Sequence, residues 1–431
     1  MIDKKIKIKT DECLNCINKP CSKKGCPLEN DIPNFIRLVK EEKIEEAYKI
    51  LSETTVLSSI CGRVCPHKKQ CEGSCVKGIK SNPVNIGDIE AYIGDTAIKE
   101  NFKISTKREE NVENKCQTIK EKQVAIIGGG PAGLTCAAFL AMNNIKVTIY
   151  EKYNYLGGLL IHGIPNFRLD KEIVNQTINK ILDLGIKVKY NSELNKNIFL
   201  EELESKYDAI FLSFGANISS KTGIEGEDIL GVYGGNELLE FNNHPKYEEK
   251  IVLVNGGGNV AIDVARTVKR LGAKEVKIVY RRSKKEMPAE ESEVEIAEKE
   301  GIKILYQNNI LKIFQDEKGK VKQAELIKTE LVKKEGEERL SPVNIPNSNY
   351  YEKADYIIMA IGSEPEAFVK KLGLELNKWG NIKINEKGQT SNQKIYAGGD
   401  LAGCKGTIAW AAKSGRDAAK NIIEYLKENE A

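Results

Sequence analysis

The sequence predicts an α/β protein in which a small helical N-terminal module precedes two Rossmann-like nucleotide-binding units. Three observations predict it. Eight of the eleven cysteines lie within the first 75 residues, as Cys13-x2-Cys16-x4-Cys21-x4-Cys26-Pro27 and Cys61-x3-Cys65-x5-Cys71-x3-Cys75. A glycine turn, Gly128-x-Gly130-x-x-Gly133, comes after an apolar run and opens a helical pattern. The same pattern returns from Ile251, with the turn Gly256-x-Gly258-x-x-Ala261. Two copies of one supersecondary unit mean two nucleotide-binding domains.

In chain order, Ile32 to Leu51 places Ile36, Leu38, Val39, Ile44, Ala47, Tyr48 and Leu51 at helical spacing, and a further helix is expected from Ile86 to Lys99. The polar stretch Glu100 to Lys122 reads as a linker, with Cys116 as a bystander. Val124 to Ile127 reads as a buried parallel strand, Leu134 to Met142 as a helix and Lys146 to Tyr150 as a second strand. The second copy runs through Ile251 to Val254, Ile262 to Leu271 and Glu275 to Tyr280. Gln307 to Tyr351 is charged and strand-like, a hairpin region; buried strands come next from Ala354 and at Ile395 to Gly399, before a C-terminal helix. The expected domains are therefore 1–115, a first nucleotide-binding domain of 120–242 plus 362–431, and a second at 243–361.

Composition narrows the function. With 431 residues there is room for roughly two to four domains with real cores. A net charge of +4 with lysines spread along the chain offers no basic patch, so no nucleic-acid partner is expected. No apolar run approaches the length of a membrane span, and the mean hydropathy is −0.40, so no membrane association is expected. Three histidines make a histidine metal site a poor expectation.

Thiolates are soft ligands for iron–sulfur clusters and for zinc. Cys13 to Pro27 is close to the cluster-binding run C-x2-C-x2-C-x3-C-P, in which the last cysteine often serves the other cluster of a pair; two clusters drawing on both bursts fit the pattern. A tetrahedral zinc site could use the same spacings, but zinc has no redox chemistry to offer a flavin domain downstream. Disulfides would need an oxidising compartment, and Met1-Ile2-Asp3-Lys4-Lys5 opens no signal peptide, so a cytoplasmic location is expected.

The two glycine turns lead to different chemistry. In the first, Gly128, Gly130, Pro131, Ala132 and Gly133 bring backbone to a pyrophosphate at a helix N-terminus, and Glu151 closes the next strand to accept ribose hydroxyls. In the second, Gly256, Gly258, Asn259, Val260 and Ala261 precede a strand that ends in Arg281-Arg282, two guanidiniums suited to a 2′-phosphate and hence to NADPH. An acid would repel that phosphate, so NADPH belongs to the second turn and FAD to the first. Asp400, in Tyr396-Ala-Gly-Gly-Asp400, is placed to meet the ribityl chain, and Thr407 to begin a helix aimed at the flavin ring.

Those residues together resemble the glutamate synthase small chain family. Its relatives include the N-terminal part of dihydropyrimidine dehydrogenase and the larger subunit of the NADH-dependent ferredoxin:NADP oxidoreductase. The resemblance covers nearly the whole chain, through Cys61-Gly-Arg-Val-Cys65-Pro66, Cys71-Glu-Gly-Ser-Cys75, Val84 to Glu90, Gly157-Gly158, Gly163 to Leu169, Met287-Pro288-Ala289 and Ala397 to Asp400. It implies one 4Fe-4S cluster on Cys13, Cys16, Cys21 and Cys75, and another on Cys26, Cys65, Cys71 and Glu90. Counting cysteines alone would instead make Cys61 the eighth ligand. The loop Ser22 to Gly25 is one residue longer than the family usually has. The resemblance also carries Gly158, Leu159 and Arg168 onto the FAD, and Ala360, Ile361 and Gly362 onto the NADPH. It implies an NADPH-dependent FAD/4Fe-4S oxidoreductase that passes electrons to a large catalytic subunit or a ferredoxin-like partner, foremost as a glutamate synthase small chain.

No side chain is assigned as a catalyst, because hydride transfer needs orientation more than acid–base groups. An electron-bifurcating transhydrogenase subunit and a dihydropyrimidine dehydrogenase subunit are the alternatives within the class. Outside it stands a zinc-stabilised flavoprotein that senses nucleotide without turnover. Cys136 and Cys404 have no partner at C-x-x-C spacing, so disulfide chemistry of the thioredoxin-reductase kind is not expected.

Overall fold

The computed structural model describes residues 3–104, 122–333 and 339–429. The expected linker and Cys116 lie almost entirely outside the described residues, as does the middle of the loop after residue 333. The chain divides into two compact units: Met1–Ile161 with Asn166–Ala216 and Ala367–Ala431, and His162–Pro165 with Asn217–Glu366.

The first unit begins with five helices: α1 (Lys4–Asp11), α2 (Ile32–Lys40), α3 (Ile44–Ser52), α4 (Ser58–Val64) and α5 (Ile86–Lys99). The single helical stretch expected from Ile32 to Leu51 is in fact two helices. The polar run Glu41-Glu42-Lys43 cannot pack on either face, and Glu42 turns the chain with a φ of 61°. This turn lets α2 and α3 pack against each other around buried Phe35, Val39, Ala47 and Leu51. The helix expected at 86–99 has those bounds, with the Asn85 side chain capping it by accepting from the Asp88 N–H at 3.1 Å. Helices α4 and α5 cross very closely: a Cβ at Gly62 would lie 2.4 Å from the Ala91 nitrogen, and one at Gly94 2.5 Å from the Ser59 nitrogen. Only glycine permits that approach, and it brings the cysteines at the end of α4 to Glu90 on α5.

The same unit continues with β1 (Gln123–Ile127), α6 (Pro131–Ala141), β2 (Lys146–Tyr150), α7 (Leu159–His162), α8 (Lys171–Leu182), β3 (Lys187–Lys189), α9 (Leu200–Lys206) and β4 (Ala209–Leu212). Helix α6 starts three residues before the expected Leu134, because Pro131 occupies its first turn, where a missing N–H costs nothing.

The second unit contains β5 (Ile218–Ser219), β6 (Val232–Gly234), α10 (Gly235–Phe241), β7 (Ile251–Asn255), α11 (Asn259–Arg270), β8 (Glu275–Tyr280), α12 (Glu291–Lys299), β9 (Lys303–Tyr306), β10 (Asn308–Gln315), β11 (Val321–Val332), β12 (Ser341–Asn344), β13 (Tyr350–Lys353), β14 (Tyr356–Met359) and β15 (Ser363–Glu364). The chain then returns to the first unit with β16 (Ile395–Ala397) and α13 (Ile408–Glu428).

Each unit holds a five-stranded parallel sheet. In the first the order is β16-β4-β1-β2-β3, and in the second β6-β14-β7-β8-β9. In both, the chain steps outward in one direction from the central strand (β1 or β7), and strands from elsewhere in sequence fill the other side. The glycine turn thus leaves the strand end at the topological switch point, where open parallel sheets bind ligands. The hairpin region expected at 307–351 is antiparallel, with β10 and β13 flanking β11 and β12 pairing its end. The compact units change over at 216/217 and 366/367, not at the expected 242/243 and 361/362. The reason is pairing: β6 bonds to β14, and β5 to β15, so 217–242 packs with the second sheet. Among the described residues no helix is long and apolar enough to cross a membrane.

Candidate cofactor sites

The thiols gather in two groups. Cys13, Cys16, Cys21 and Cys75 line one cavity beneath the Ile32 and Ile36 side chains of α2. Burial, with the neighbouring Cys75 and Cys13 sulfurs adding to it, pushes the Cys21 thiol up to about 11; burial likewise raises Cys13, with Cys16 and Cys75 beside it. The second group lies deeper. Burial and then Glu90 raise the thiols of Cys26, to about 12, and of Cys71, while Cys65 is raised first by a hydrogen bond with Cys61 and then by burial. Glu90 is 5% exposed and pushed up to about 8 by burial, opposed only by the Asn30 amide, which donates to its Oε1 at 3.3 Å.

These shifts share one meaning. Burial makes these thiols and this carboxyl hold their protons, and a bound metal would release them. The donor set, four sulfurs around one cavity and, in the other group, Cys26, Cys61, Cys65 and Cys71 with the Glu90 carboxyl, fits clusters whose ligands sit on separate irons. Among the described residues no three His, Cys, Asp or Glu side chains converge as they would on a single ion. Cys61, 2% exposed on α4, lies against Cys65 and beside Cys26, so that both Cys61 and Glu90 border the second group.

At the first glycine turn, each glycine has a distinct task. A Cβ at Gly133 would lie 2.0 Å from the Gly128 carbonyl oxygen, so glycine there allows α6 to start against β1. A Cβ at Gly130 would meet nothing within 4 Å, leaving an open cradle at the N-terminus of α6. Gly158, with a φ of 50°, brings its own loop to within 3.2 Å of the Gly130 Cα as measured from an added Cβ, and the Gly157 N–H donates to Gly129 at 2.8 Å. Leu159 then opens α7, partly exposed. Glu151 is buried at the end of β2, its carboxylate accepting from the Gly129 N–H at 2.8 Å and the Tyr153 N–H at 3.0 Å. Burial raises its pKa and those N–H groups counter it, so the acid is aimed beside the turn with lone pairs to spare for ribose hydroxyls.

Two distant segments join this turn. Gly399 lies against Ala132, an added Cβ falling 3.3 Å from the alanine Cβ, which sets Asp400 beside the first turn of α6 with its carboxyl raised by burial. Thr407 caps α13 by accepting from the Trp410 N–H, and Gly415 presses that helix onto Ala132, where a Cβ would be 2.1 Å from its carbonyl oxygen. Arg168 is half-buried just before α8.

The second turn repeats the arrangement. Gly258, like Gly130, faces open space, and Ala261 is fully buried where Gly133 stands in the first copy. Asn259 accepts from the Glu290 N–H at 3.0 Å, and the Ala289 N–H donates to Gly257, so Met287 to Glu290 closes over the turn; Val260 packs on the core beside it. Ala360 comes just after β14 and its carbonyl backs Gly256, where a Cβ would be 2.1 Å away; Ile361 is exposed and Gly362, at a φ of 149°, accepts from the Ser220 N–H. Arg281 is exposed at the end of β8, and the Arg282 Nε donates to the Leu340 carbonyl at 3.1 Å, which leaves its two terminal amino groups for a ligand.

Two residues here had no signal in the sequence. Arg339 reaches back to the Glu286 carbonyl, adding a third guanidinium to the Arg281–Arg282 corner. Arg416, 4% exposed on α13, donates to the Leu28 carbonyl beside Cys26. Nothing in local spacing connects either to its site.

The contrast between glycines gives a prediction. Gly130→Val should fold and melt as the parent does when cofactor-free, yet retain little FAD after gel filtration, because its side chain enters the open cradle. Gly133→Ala should instead cost about 1–3 kcal/mol of stability, as an overpacked contact does. Equal FAD-to-protein absorbance ratios for Gly130→Val and parent would count against a cofactor at this turn.

Comparison with known proteins identifies the family and the fold. Residues 122–419 match the pyridine nucleotide-disulphide oxidoreductase family, and residues 1–102 match the family described as dihydropyrimidine dehydrogenase domain II, 4Fe-4S cluster. The chain is 36% identical over 440 residues to the glutamate synthase [NADPH] small chain of Escherichia coli K12, covering 98% of this chain and 91% of that one. It is 33% identical to the NADP(+)-dependent formate dehydrogenase subunit beta of Moorella thermoacetica, covering 96% of this chain and 60% of the relative. Among solved structures, Mycobacterium tuberculosis FprA in complex with NADPH superposes with a TM-score of 0.64 at 19% identity, covering 72% of this chain and 85% of that one, which is a likeness of fold.

Proposed function

Because this chain belongs to the family of the glutamate synthase [NADPH] small chains, we propose that it binds FAD at Gly128–Gly133, NADPH at Gly256–Ala261 and two 4Fe-4S clusters in the N-terminal module. It is an NADPH-dependent flavin oxidoreductase, and its proposed task is to feed electrons to a large catalytic subunit in the cytoplasm. When bound, these groups supply the chemistry, accepting a hydride and releasing single electrons. The protein's own residues do the positioning. Gly130 and Gly258 leave room for diphosphates; Glu151 holds ribose at one turn, Arg281 and Arg282 a 2′-phosphate at the other; Asp400 and the Thr407-capped helix α13 flank the flavin position.

One observation carries the reading. The two turns are built alike, yet one leads to a buried acid and the other to paired arginines, which supports different nucleotides at the two. That the thiol groups share a compact unit with the acid-bearing turn supports electron passage from flavin to clusters.

The test uses the isolated chain, purified anaerobically. It is expected to oxidise NADPH with a viologen or ferricyanide as acceptor, and to show no acceleration by glutamine plus 2-oxoglutarate. Glutamate formation from glutamine by this chain without a partner would overturn the subunit reading; absence of acceptor reduction at full cofactor loading would favour a nucleotide sensor without turnover.

A further inference from the structure

We propose that the face of the N-terminal module carrying Leu14, Ile17, Val76 and Ile79 is the docking surface through which electrons leave this chain, and that its occupant is the large chain, presenting an apolar patch rimmed by Asp and Glu. The proposal rests on the reading of this chain as the electron-input partner.

Four aliphatic side chains stand in water here: Ile17 is 95% exposed, Ile79 79%, Leu14 62% and Val76 42%. Singly such residues are ordinary, but a contiguous exposed group with a charged rim marks a protein contact. These are contiguous. Ile17 and Val76 line the same hollow of about 400 Å³, together with Cys16, Pro20, Lys23 and Lys24. Leu14 and Val76 also line the cavity onto which Cys13, Cys16, Cys21 and Cys75 open, and Ile79 ends the short helical turn that Val76 begins.

The patch therefore lies directly over the outer thiol group. Three members of that group, Cys13, Cys16 and Cys75, are partly exposed, as are Cys26 and Cys65 of the other group, but it is the outer group that shares a cavity with Leu14 and Val76. The deeper group is also the one tied to the flavin-side helix, through Arg416 and the Leu28 carbonyl. With clusters held at both groups, an electron coming from the flavin side through the Cys26–Cys71 group would reach the outer group behind Ile17 and Val76. An acceptor must come to that face to receive it.

The rim determines the partner's charge. Lys19 is held by Asp31 and Lys77 by Glu12, but exposed Lys23 and Lys24 have no ion pair among the described residues. Two uncompensated ammonium groups beside an apolar centre call for carboxylates on the partner, and make association fall with salt. A membrane surface could meet the same charge and apolarity, but it offers no electron acceptor.

The test takes the iron- and FAD-loaded full chain and the purified large chain encoded in the same genome, and measures their dissociation constant at low and high salt. Ile17→Asp is expected to weaken binding roughly tenfold or more, as loss of a central contact does. Since Ile17 adjoins Cys16, Ile79→Asp serves as a second variant away from the ligands, with iron content checked for both. Lys23→Glu with Lys24→Glu should weaken binding at low salt and flatten its salt dependence. NADPH-driven bleaching of the flavin should be unchanged in all three. If the parent chain binds and all variants bind as tightly, the docking face is wrong while the subunit reading survives. If the parent does not bind the large chain, the subunit reading and this occupant fall together. Salt-sensitive pelleting of the parent with phosphatidylglycerol vesicles, abolished by Ile17→Asp while large-chain binding persists, would assign the patch to a membrane and overturn the proposal.

Discussion

Cys71→Ser, made under iron-replete anaerobic conditions, is expected to lose about half of the bound iron and sulfide and to melt well below the parent. Cys71 is buried among Cys26, Cys65 and Glu90, so its loss removes a ligand from the deeper group and leaves three buried acids with nothing to take their protons. Removing the metal from a small module takes away folding free energy along with the electron carrier, and the apolar contacts of α4 with α5 would loosen with it. Two companion variants decide the eighth ligand. Cys61→Ser should leave iron content intact, while Glu90→Ala should change the spectrum or potential of one cluster, since replacing a carboxylate oxygen alters that iron's electronics. Iron analysis and low-temperature electron paramagnetic resonance read both outcomes. Stoichiometric zinc with no iron in the parent protein would sink the cluster assignment, and loss of a cluster in Cys61→Ser with no change in Glu90→Ala would reverse the ligand set.

The second large effect is expected at the nucleotide turn. Arg281→Ala with Arg282→Ala should erase most of the preference for NADPH while sparing NADH. A charge-assisted hydrogen bond contributes roughly 1.5–3 kcal/mol, or about one to two decades of affinity for each. The two arginines are not equivalent. Arg282 is oriented by the Leu340 carbonyl, so Arg282→Ala removes a held donor, whereas Arg281, exposed, must be ordered by the ligand itself. Arg282→Ala alone should therefore cost more than Arg281→Ala alone. Rapid-mixing measurement of flavin reduction at equal low concentrations of NADPH and NADH gives the ratio; a parent chain faster with NADH would refute the assignment.

The strands of both βαβ units were legible in the sequence to within a residue, whereas their helices α6 and α11 each start three residues before the expected position. Strands β2 and β8 and helix α5 have their expected bounds, and β1 and β7 each differ by one residue. Fully buried parallel strands are continuous apolar runs, and glycine turns punctuate them, so the signal lies within a few residues of the structure it specifies. Strands β3, β4 and β6 were not foreseen, being short and lacking a glycine turn of their own. The break at Glu42 was missed for a related reason: apolar spacing persists across it, and only the packing of α2 on α3 decides that the chain must turn there.

The sequence by itself determined the chemistry of each turn: which one carries an acid, which one carries arginines, and that thiols cluster ahead of both. These depend on residue type and on spacing within one supersecondary unit. Only the tertiary structure decided what meets across long separations. It sorted eight cysteines into an outer and a deeper group, set Glu90 against the latter through the glycine crossing of α4 and α5, and brought Asp400 to Ala132, Ala360 to Gly256 and Arg416 to Leu28. Such meetings depend on strand order and helix approach. Those are settled by burial summed over whole sheets, a quantity to which no short stretch of sequence contributes enough to be read alone.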